Sequence, residues 1–255
     1  MEKFIITKIK AGSKETVEDF LASEVPLTIT VAEKELVTLL CTPGDCEDLV
    51  RGFLFTSGLI KKAADIAKIV LNQEQWVAYV DLVNNNHLGD LVFKRLYTSG
   101  CGRGTLFYNA LDIAHRSKII SHYTFEKNYI SALMVDFQKS SHAYLKTGGM
   151  HSAAIADKKG IIAFREDIGR HNAIDKVVGY MISKNRSFKD KVIISSGRVS
   201  SEVLFKMQKC RIPIVISRSA PTNQAVRLAR SMGITLVGFV RGDKMNIYSQ
   251  EQRII

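Results

Sequence analysis

Val192-Ile193-Ile194-Ser195-Ser196-Gly197-Arg198, Ile214-Val215-Ile216-Ser217-Arg218-Ser219 and Thr235-Leu236-Val237-Gly238-Phe239-Val240-Arg241 share one grammar. In each, a short run of apolar, mostly β-branched residues is too brief for a helix and breaks into serine, glycine and arginine. That pattern predicts buried strands at Val192–Ile194, Ile214–Ser217 and Thr235–Val240. Between them, apolar residues recur at helical spacing near Ser200–Lys209 and Asn223–Met232, and a further helix is expected near Ala173–Ser183. Strands alternating with helices of about ten residues imply right-handed βαβ crossovers and a mainly parallel sheet covered on both faces.

Upstream, Ala153–Ala156 and Ile161–Phe164 flank Asp157-Lys158-Lys159-Gly160 and read as a β-hairpin, preceded by one long amphipathic helix over Glu126–Tyr144. The N-terminal part looks like a smaller α+β unit. Strands alternate through Val25–Leu40 around Glu33-Lys34, a helix striped by Leu49, Val50, Phe53 and Leu54 is capped by Asp45, and strands follow at Trp76–Val83 and Leu91–Leu96. The expected organisation is a small α+β domain over 1–98, then a loop, linker and α/β domain over 99–255 with its packed core from about 126.

The 255 residues are 46% hydrophobic, with no low-complexity tract and no apolar run of bilayer length, so a globular cytoplasmic protein is expected. Its net charge of +11 is uneven. Residues 140–255 hold 20 Lys/Arg against 8 Asp/Glu, net +12, while residues 1–139 hold 16 against 17, net −1. The second half therefore meets something anionic: nucleic acid, a phosphate-rich small molecule or an acidic protein.

In an open α/β sheet, ligands bind beyond the carboxyl ends of the strands, where helix N-termini attract anions. Ser195-Ser196-Gly197-Arg198, Ser217-Arg218-Ser219, and Arg241 followed by Gly242-Asp243-Lys244 all fall there, and their hydroxyls, amides and guanidinium forks suit phosphate oxygens. Gly169-Arg170-His171 starts a helix on which Asp175 stands four residues after His171, close enough to orient its ring as a general base or as an ordinary hydrogen bond. His151, in Gly148-Gly149-Met150-His151-Ser152, is more often structural than catalytic in such a setting.

Among the four cysteines, Cys210 suits packing. Cys41 and Cys46 form C-x4-C with no second pair, so a zinc site is not expected there. Cys101 differs. It sits in Thr98-Ser99-Gly100-Cys101-Gly102-Arg103-Gly104-Thr105, where glycines leave the sulfur little shielded and Arg103, Arg95 and Lys94 favour the thiolate. P-loop, G-x-G-x-x-G, H-E-x-x-H and zinc-deaminase motifs are all absent from the chain.

Together, Glu24-Val25-Pro26, Arg51-Gly52-Phe53-Leu54, the Cys101 loop, Gly148–Ala154, Glu166–Ala173, Ser196-Gly197-Arg198, Ser217–Thr222 and Val237-Gly238-Phe239 resemble the FdhD/NarQ family of formate dehydrogenase accessory sulfurtransferases. The resemblance implies a cytidine-deaminase-like three-layer α/β/α domain without zinc. It also implies that Cys101 accepts persulfide sulfur from a cysteine desulfurase. Delivery would be to the molybdenum bis(molybdopterin guanine dinucleotide) cofactor, bound as substrate, for formate dehydrogenase. Many members carry C-G-x-C-G in the loop, whereas here Gly104 stands in place of the second cysteine, leaving Cys101 alone as the carrier.

The family's cofactor-binding stretch falls on Phe239, Val240, Arg241, Gly242, Asp243 and Lys244, and guanine nucleotides should act as partial mimics of the cofactor. The Cys101 loop is expected to swing between donor and pocket. The competing readings are a chaperone that binds the cofactor without sulfur chemistry, and a nucleic-acid binder. The latter is disfavoured because the arginines sit at strand ends rather than along a recognition helix. Neither a membrane nor a nucleic-acid partner is expected, and a homodimer is left open.

Overall fold

The computed structural model describes residues 1–84 and 118–255. The strand expected at Leu91–Leu96 and the Cys101 loop, with the swing anticipated for it, lie outside the described residues.

The chain opens with an antiparallel ribbon, β1 (Glu2–Lys10) and β2 (Ser13–Leu21), which pair along their full length. Their apolar residues do not alternate regularly, so the pattern did not announce them. A four-stranded sheet follows, in the order β4-β3-β6-β5, from β3 (Val25–Val31), β4 (Lys34–Cys41), β5 (Ile66–Asn72) and β6 (Val77–Leu82). The β3–β4 turn is Ala32-Glu33, both at positive φ (47° and 63°), one residue before the expected junction.

Helix α1 (Cys46–Thr56) comes between β4 and β5. Asp45 precedes it in a left-handed conformation (φ 55°) and makes no side-chain cap, contrary to expectation. Its carboxylate instead lies 3.2 Å from Arg165 Nε, and Asp48 also reaches Arg165, at 2.7 Å. A guanidinium shared by two carboxylates outbids a single backbone N–H for Asp45.

The second half is built on a six-stranded sheet in the order β12-β11-β10-β9-β7-β8. Its strands are β7 (His151–Asp157), β8 (Gly160–Asp167), β9 (Val192–Ser195), β10 (Ile214–Ser217), β11 (Thr235–Arg241) and β12 (Lys244–Ser249). The sheet is mixed rather than mainly parallel: β9, β10 and β11 run parallel, while the other three of its five pairings are antiparallel. Hairpin β7–β8 and strand β12 extend the parallel part antiparallel on either side, since tight turns at Lys158-Lys159 and Gly242-Asp243 return the chain without a crossover.

Successive β9 residues face opposite layers, as a doubly covered sheet requires. Ile193 joins the core with α4 (Arg170–Ser183), α5 (Ser201–Cys210) and α6 (Asn223–Met232). Val192 and Ile194 pack under Ile130, Leu133, Met134 and Phe137 of α2 (Lys127–Lys139) on the other face. The architecture is the three-layer α/β/α arrangement expected.

The long helix anticipated over Glu126–Tyr144 is broken. Beyond α2, a short helix α3 (His142–Thr147) starts afresh. Ser140 and Ser141 hydroxyls donate to the Asp136 and Phe137 carbonyls, and the Glu166 carboxylate accepts the N–H groups of Ala143 and Tyr144 at 2.9 and 2.8 Å. The local hydroxyl bonds end one helix and a distant carboxylate caps the next.

The core continues without a break from the four-stranded sheet through α1 and α4 to the large sheet. Where α1 and α4 cross, a Cβ on Gly52 would overlap the Asp175 carbonyl, and one on Gly179 would overlap that of Asp48. Only hydrogen fits at either position. Gly179→Ala is therefore expected to destabilise the fold by about 1–3 kcal/mol as the helices are forced apart. Urea unfolding measures it, and an unchanged midpoint would show that the crossing yields freely.

Two buried ion pairs tie the halves further. Asp167 and Lys176, both without exposure, meet at 2.7 Å. Asp167 also accepts the N–H (3.0 Å) and hydroxyl (2.9 Å) of Thr42, the N–H of Gly169 (2.8 Å) and Asn172 Nδ2 (3.0 Å). In the second pair, Lys206 bonds both oxygens of Asp175 at 2.8 and 2.7 Å, and Thr56 donates to the same carboxylate at 2.8 Å.

Candidate anion site at the carboxyl edge of the sheet

Because β9 and β10 are parallel and β7 runs against β9, one sheet edge collects the ends of β9 and β10 with the start of β7. The end of β8 and the start of α4 join them there. This edge carries His151, Arg170, His171, Ser196, Arg198 and Arg218.

The serines behave differently from expectation. Ser195 Oγ accepts the Gly197 N–H (3.2 Å), Ser217 Oγ donates to the Gly197 carbonyl (2.8 Å), and the Ser219 N–H donates to Ser217 Oγ (3.0 Å). The hydroxyls of Ser195 and Ser217, expected to meet phosphate, instead hold the loops in shape. What projects outward is cationic: Arg198 and Arg218 are exposed and, among the described residues, form no ion pair.

Gly197 makes the convergence possible, since a Cβ there would come within 2.9 Å of Arg170 Cβ and 3.5 Å of His151 Nδ1. Ser196 Oγ accepts the Ser152 N–H at 2.9 Å and lies 3.3 Å from His151 Nδ1. Beside this group opens a cavity of about 660 Å³, with His151, Ser196 and Arg218 on one side and Phe137, Tyr144 and Leu145 on another. A larger cavity, about 860 Å³, lies near the opposite edge around Cys210 and Pro213, and holds none of the residues singled out for anion binding.

Both histidines are held neutral. Burial, followed by the charges of Arg170 and Arg198, lowers the pKa of His151. Burial, Lys206, Arg170 and His151 hold His171 well below its usual value. Asp175 does not orient His171, as the spacing had suggested, because it turns to Lys206. In a dry interior a full ammonium is a far stronger partner for a carboxylate than a neutral ring. His171 Nδ1 instead lies 3.3 Å from Glu202 Oε1, and neither ring nitrogen makes a hydrogen bond among the described residues.

Sequence reasoning missed Glu202, Lys206, Lys176 and Asp167. Glu202 had a signal, an acidic residue in the first turn of a helix. The lysines read as ordinary polar-face residues.

An unfolded chain titrates its histidines near 6.5, while the folded chain keeps both rings neutral to lower pH. Stability from these residues is complete above that value and is lost as pH falls through the depressed folded pKa values, because the unfolded state takes up protons first. Burial raises Glu202, which acts in the opposite sense: its contribution is lost as pH rises. From neutral pH to about pH 5, the parent should lose more stability than His171→Gln. Parallel pH profiles of the two midpoints would contradict this.

The stretch Phe239–Lys244 forms the β11–β12 tip. Phe239 (φ 54°) is 39% exposed and its N–H donates to the Ser219 carbonyl at 3.2 Å, which sets the tip beside the Arg218 loop. Arg241, Gly242, Asp243 and Lys244 are exposed, but none lines the 660 Å³ cavity. The side chain of Val240 is fully buried beneath α2, so it is a core residue rather than a ligand contact. Cys101, with Lys94, Arg95 and Arg103, lies outside the described residues. Among the described residues, no cluster of three His, Cys, Asp or Glu could hold a metal ion, and no helix is long and apolar enough to cross a membrane.

By class this is an α/β/α layered protein whose strand ends carry Arg198 and Arg218, exposed and without ion pairs among the described residues. The sequence pattern of the FdhD/NarQ family matches residues 22–255, and the chain belongs to that family. It is 39% identical over 250 residues to the sulfur carrier protein FdhD of Bacillus subtilis (strain 168), covering 98% of this chain and 95% of that one. To the sulfur carrier protein FdhD of Staphylococcus aureus (strain Newman) it is 40% identical over 253 residues, covering 98% and 95%. A crystal structure described as a formate dehydrogenase accessory protein from Desulfotalea psychrophila shares the fold, with a TM-score of 0.80 at 24% identity, over 100% of this chain and 99% of that one.

Proposed function

We propose that this chain is a cytoplasmic sulfur carrier and sulfurtransferase serving formate dehydrogenase. Sulfur arrives as a persulfide from a cysteine desulfurase. The Cys101 thiolate attacks the outer sulfur, the donor S–S bond breaks, the donor cysteine leaves as thiolate, and Cys101 becomes the persulfide. The recipient is the molybdenum bis(molybdopterin guanine dinucleotide) cofactor, bound as substrate.

One observation carries the binding half of this reading: Arg218 lines a cavity of about 660 Å³ at the carboxyl edge, and neither it nor Arg198 after the neighbouring strand forms an ion pair among the described residues. A diphosphate placed there meets the Arg218 guanidinium, the Ser196 hydroxyl and the neutral His151 imidazole, with Arg198 exposed after the neighbouring strand. Arg241 and Lys244 at the neighbouring tip extend the positive field. The names of the relatives support the sulfur-carrying half.

Guanosine diphosphate, which mimics one end of the cofactor, should bind the full chain. Arg218→Ala should weaken it by about 10-fold to 100-fold, the equivalent of a charged hydrogen bond of about 1.5–3 kcal/mol. Isothermal titration reads the change. Unchanged affinity in a chain carrying both Arg198→Ala and Arg218→Ala would remove these loops from the site.

A further inference from the structure

The family pattern begins at residue 22, so the β1–β2 ribbon lies outside it, and neither the anion site nor sulfur transfer draws on it. The ribbon is a sheet of its own, joined to neither of the others. Two strands alone make a marginal unit in water, and such a ribbon ordinarily gains stability by covering an apolar face. Here one face is uncovered.

Register defines that face. Residues opposite one another in an antiparallel ladder point the same way, so one face carries four rungs from base to tip: Lys3 with Phe20, Ile5 with Glu18, Thr7 with Thr16, and Ile9 with Lys14. Ile5 is 77% exposed and Ile9 68%. At the base, Phe20 lies against the ammonium groups of Lys3 and of Lys146 on α3, at 5.5 and 5.7 Å. Lys3 also meets Glu18 at 2.9 Å, while Lys14 forms no ion pair among the described residues.

This face is complementary to itself. A second ribbon laid on it, related by a two-fold axis that crosses the strands at the Thr7–Thr16 rung, puts Ile5 of each copy over Ile9 of the other and Glu18 over the other's Lys14. Other two-fold arrangements fail on charge. With the axis along the strands, Ile5 would cover Glu18. The opposite face has the rungs Phe4 with Asp19, Ile6 with Val17, and Lys8 with Glu15, and the crossing axis would stack Asp19 on Glu15. Edge-to-edge pairing sets like strand beside like strand. Lys3, Lys8 and Lys10 outnumber Glu2 on β1, and Glu15, Glu18 and Asp19 outnumber Lys14 on β2, so either edge repels its own copy.

We propose that the β1–β2 ribbon is a dimerisation arm that stacks face to face on the same ribbon of a second copy of this chain. One face of two nine-residue strands is a small contact, so the dimer is weak and dissociates in the micromolar range. Antiparallel stacking carries the tip of each arm, at Ala11-Gly12, towards the base of the other. That base adjoins α3, whose Tyr144 and Leu145 line the 660 Å³ cavity, so the arm of a second copy reaches towards that wall.

Sedimentation equilibrium of the full chain, from micromolar to low millimolar concentration, should show a reversible monomer–dimer equilibrium. Ile5→Lys combined with Ile9→Lys should weaken it by about 100-fold or more, because each copy loses both apolar contacts. Glu18→Lys alone and Lys14→Glu alone should each weaken it by about 10-fold, since like charges then oppose each other at two symmetric contacts. Mixed in equal amounts, these two single variants should regain the parent's affinity, because position 14 of each chain again meets the opposite charge at position 18 of the other. Circular dichroism checks that every variant is folded. A parent that stays monomeric over the whole range overturns the proposal. So does a dimer that the double isoleucine variant leaves at parental affinity, or a mixture that associates no more tightly than its components. A ribbon merely damaged by a substitution would not recover on mixing, so recovery separates a lost contact from a lost fold.

Discussion

Asp167→Ala is expected to destabilise the fold by about 3–5 kcal/mol, the range for removing one partner of a fully buried ion pair. The carboxylate does more than neutralise Lys176. It accepts from the Thr42 N–H and hydroxyl, the Gly169 N–H and Asn172 Nδ2. Its loss leaves a dry ammonium and several orphaned donors at the junction of β4, β8 and α4.

Lys176→Met should be milder, because Asp167 would keep those four hydrogen bonds while losing only the ion pair. The order matters more than either value. Thermal midpoints should fall by something on the order of 10 °C for Asp167→Ala and less for Lys176→Met. If the lysine variant proves the less stable, charge pairing rather than the donor network dominates this junction.

Cys101→Ala should reduce sulfur transfer to the level seen without the protein. Of the four cysteines, Cys41, Cys46 and Cys210 are buried, and the raised pKa of Cys41 and Cys210 disfavours their thiolates. Cys101 alone has a glycine-rich setting with cationic neighbours in sequence. Mass spectrometry after incubation with a cysteine desulfurase and cysteine reads the added sulfur directly, and guanosine diphosphate titration checks that the variant still binds. A Cys101→Ala chain that matures formate dehydrogenase as well as the parent would favour a chaperone that only holds the cofactor.

What the sequence determined by itself was the order and kind of the elements in the second half. Val192–Ser195, Ile214–Ser217 and the apolar run after Thr235 are strands because β-branched residues fill both faces of a covered sheet, and Ser201–Cys210 and Asn223–Met232 are helices because their apolar residues form a stripe. It also placed Arg198 and Arg218 at strand ends, since the strand pattern stops just before them.

Tertiary structure decided the partners. Asp175 was within reach of His171 along its own helix, yet it pairs with Lys206 of another, because in the interior the strongest charge wins regardless of distance in sequence. Asp45 looked like a cap and became a partner of Arg165; Glu166, on a strand, became the cap that restarts α3 after Ser140-Ser141. Ser195 and Ser217 looked like phosphate ligands and became loop braces. In each case the local pattern supplied a group with several satisfactory partners, and only close packing of segments distant in sequence selected one.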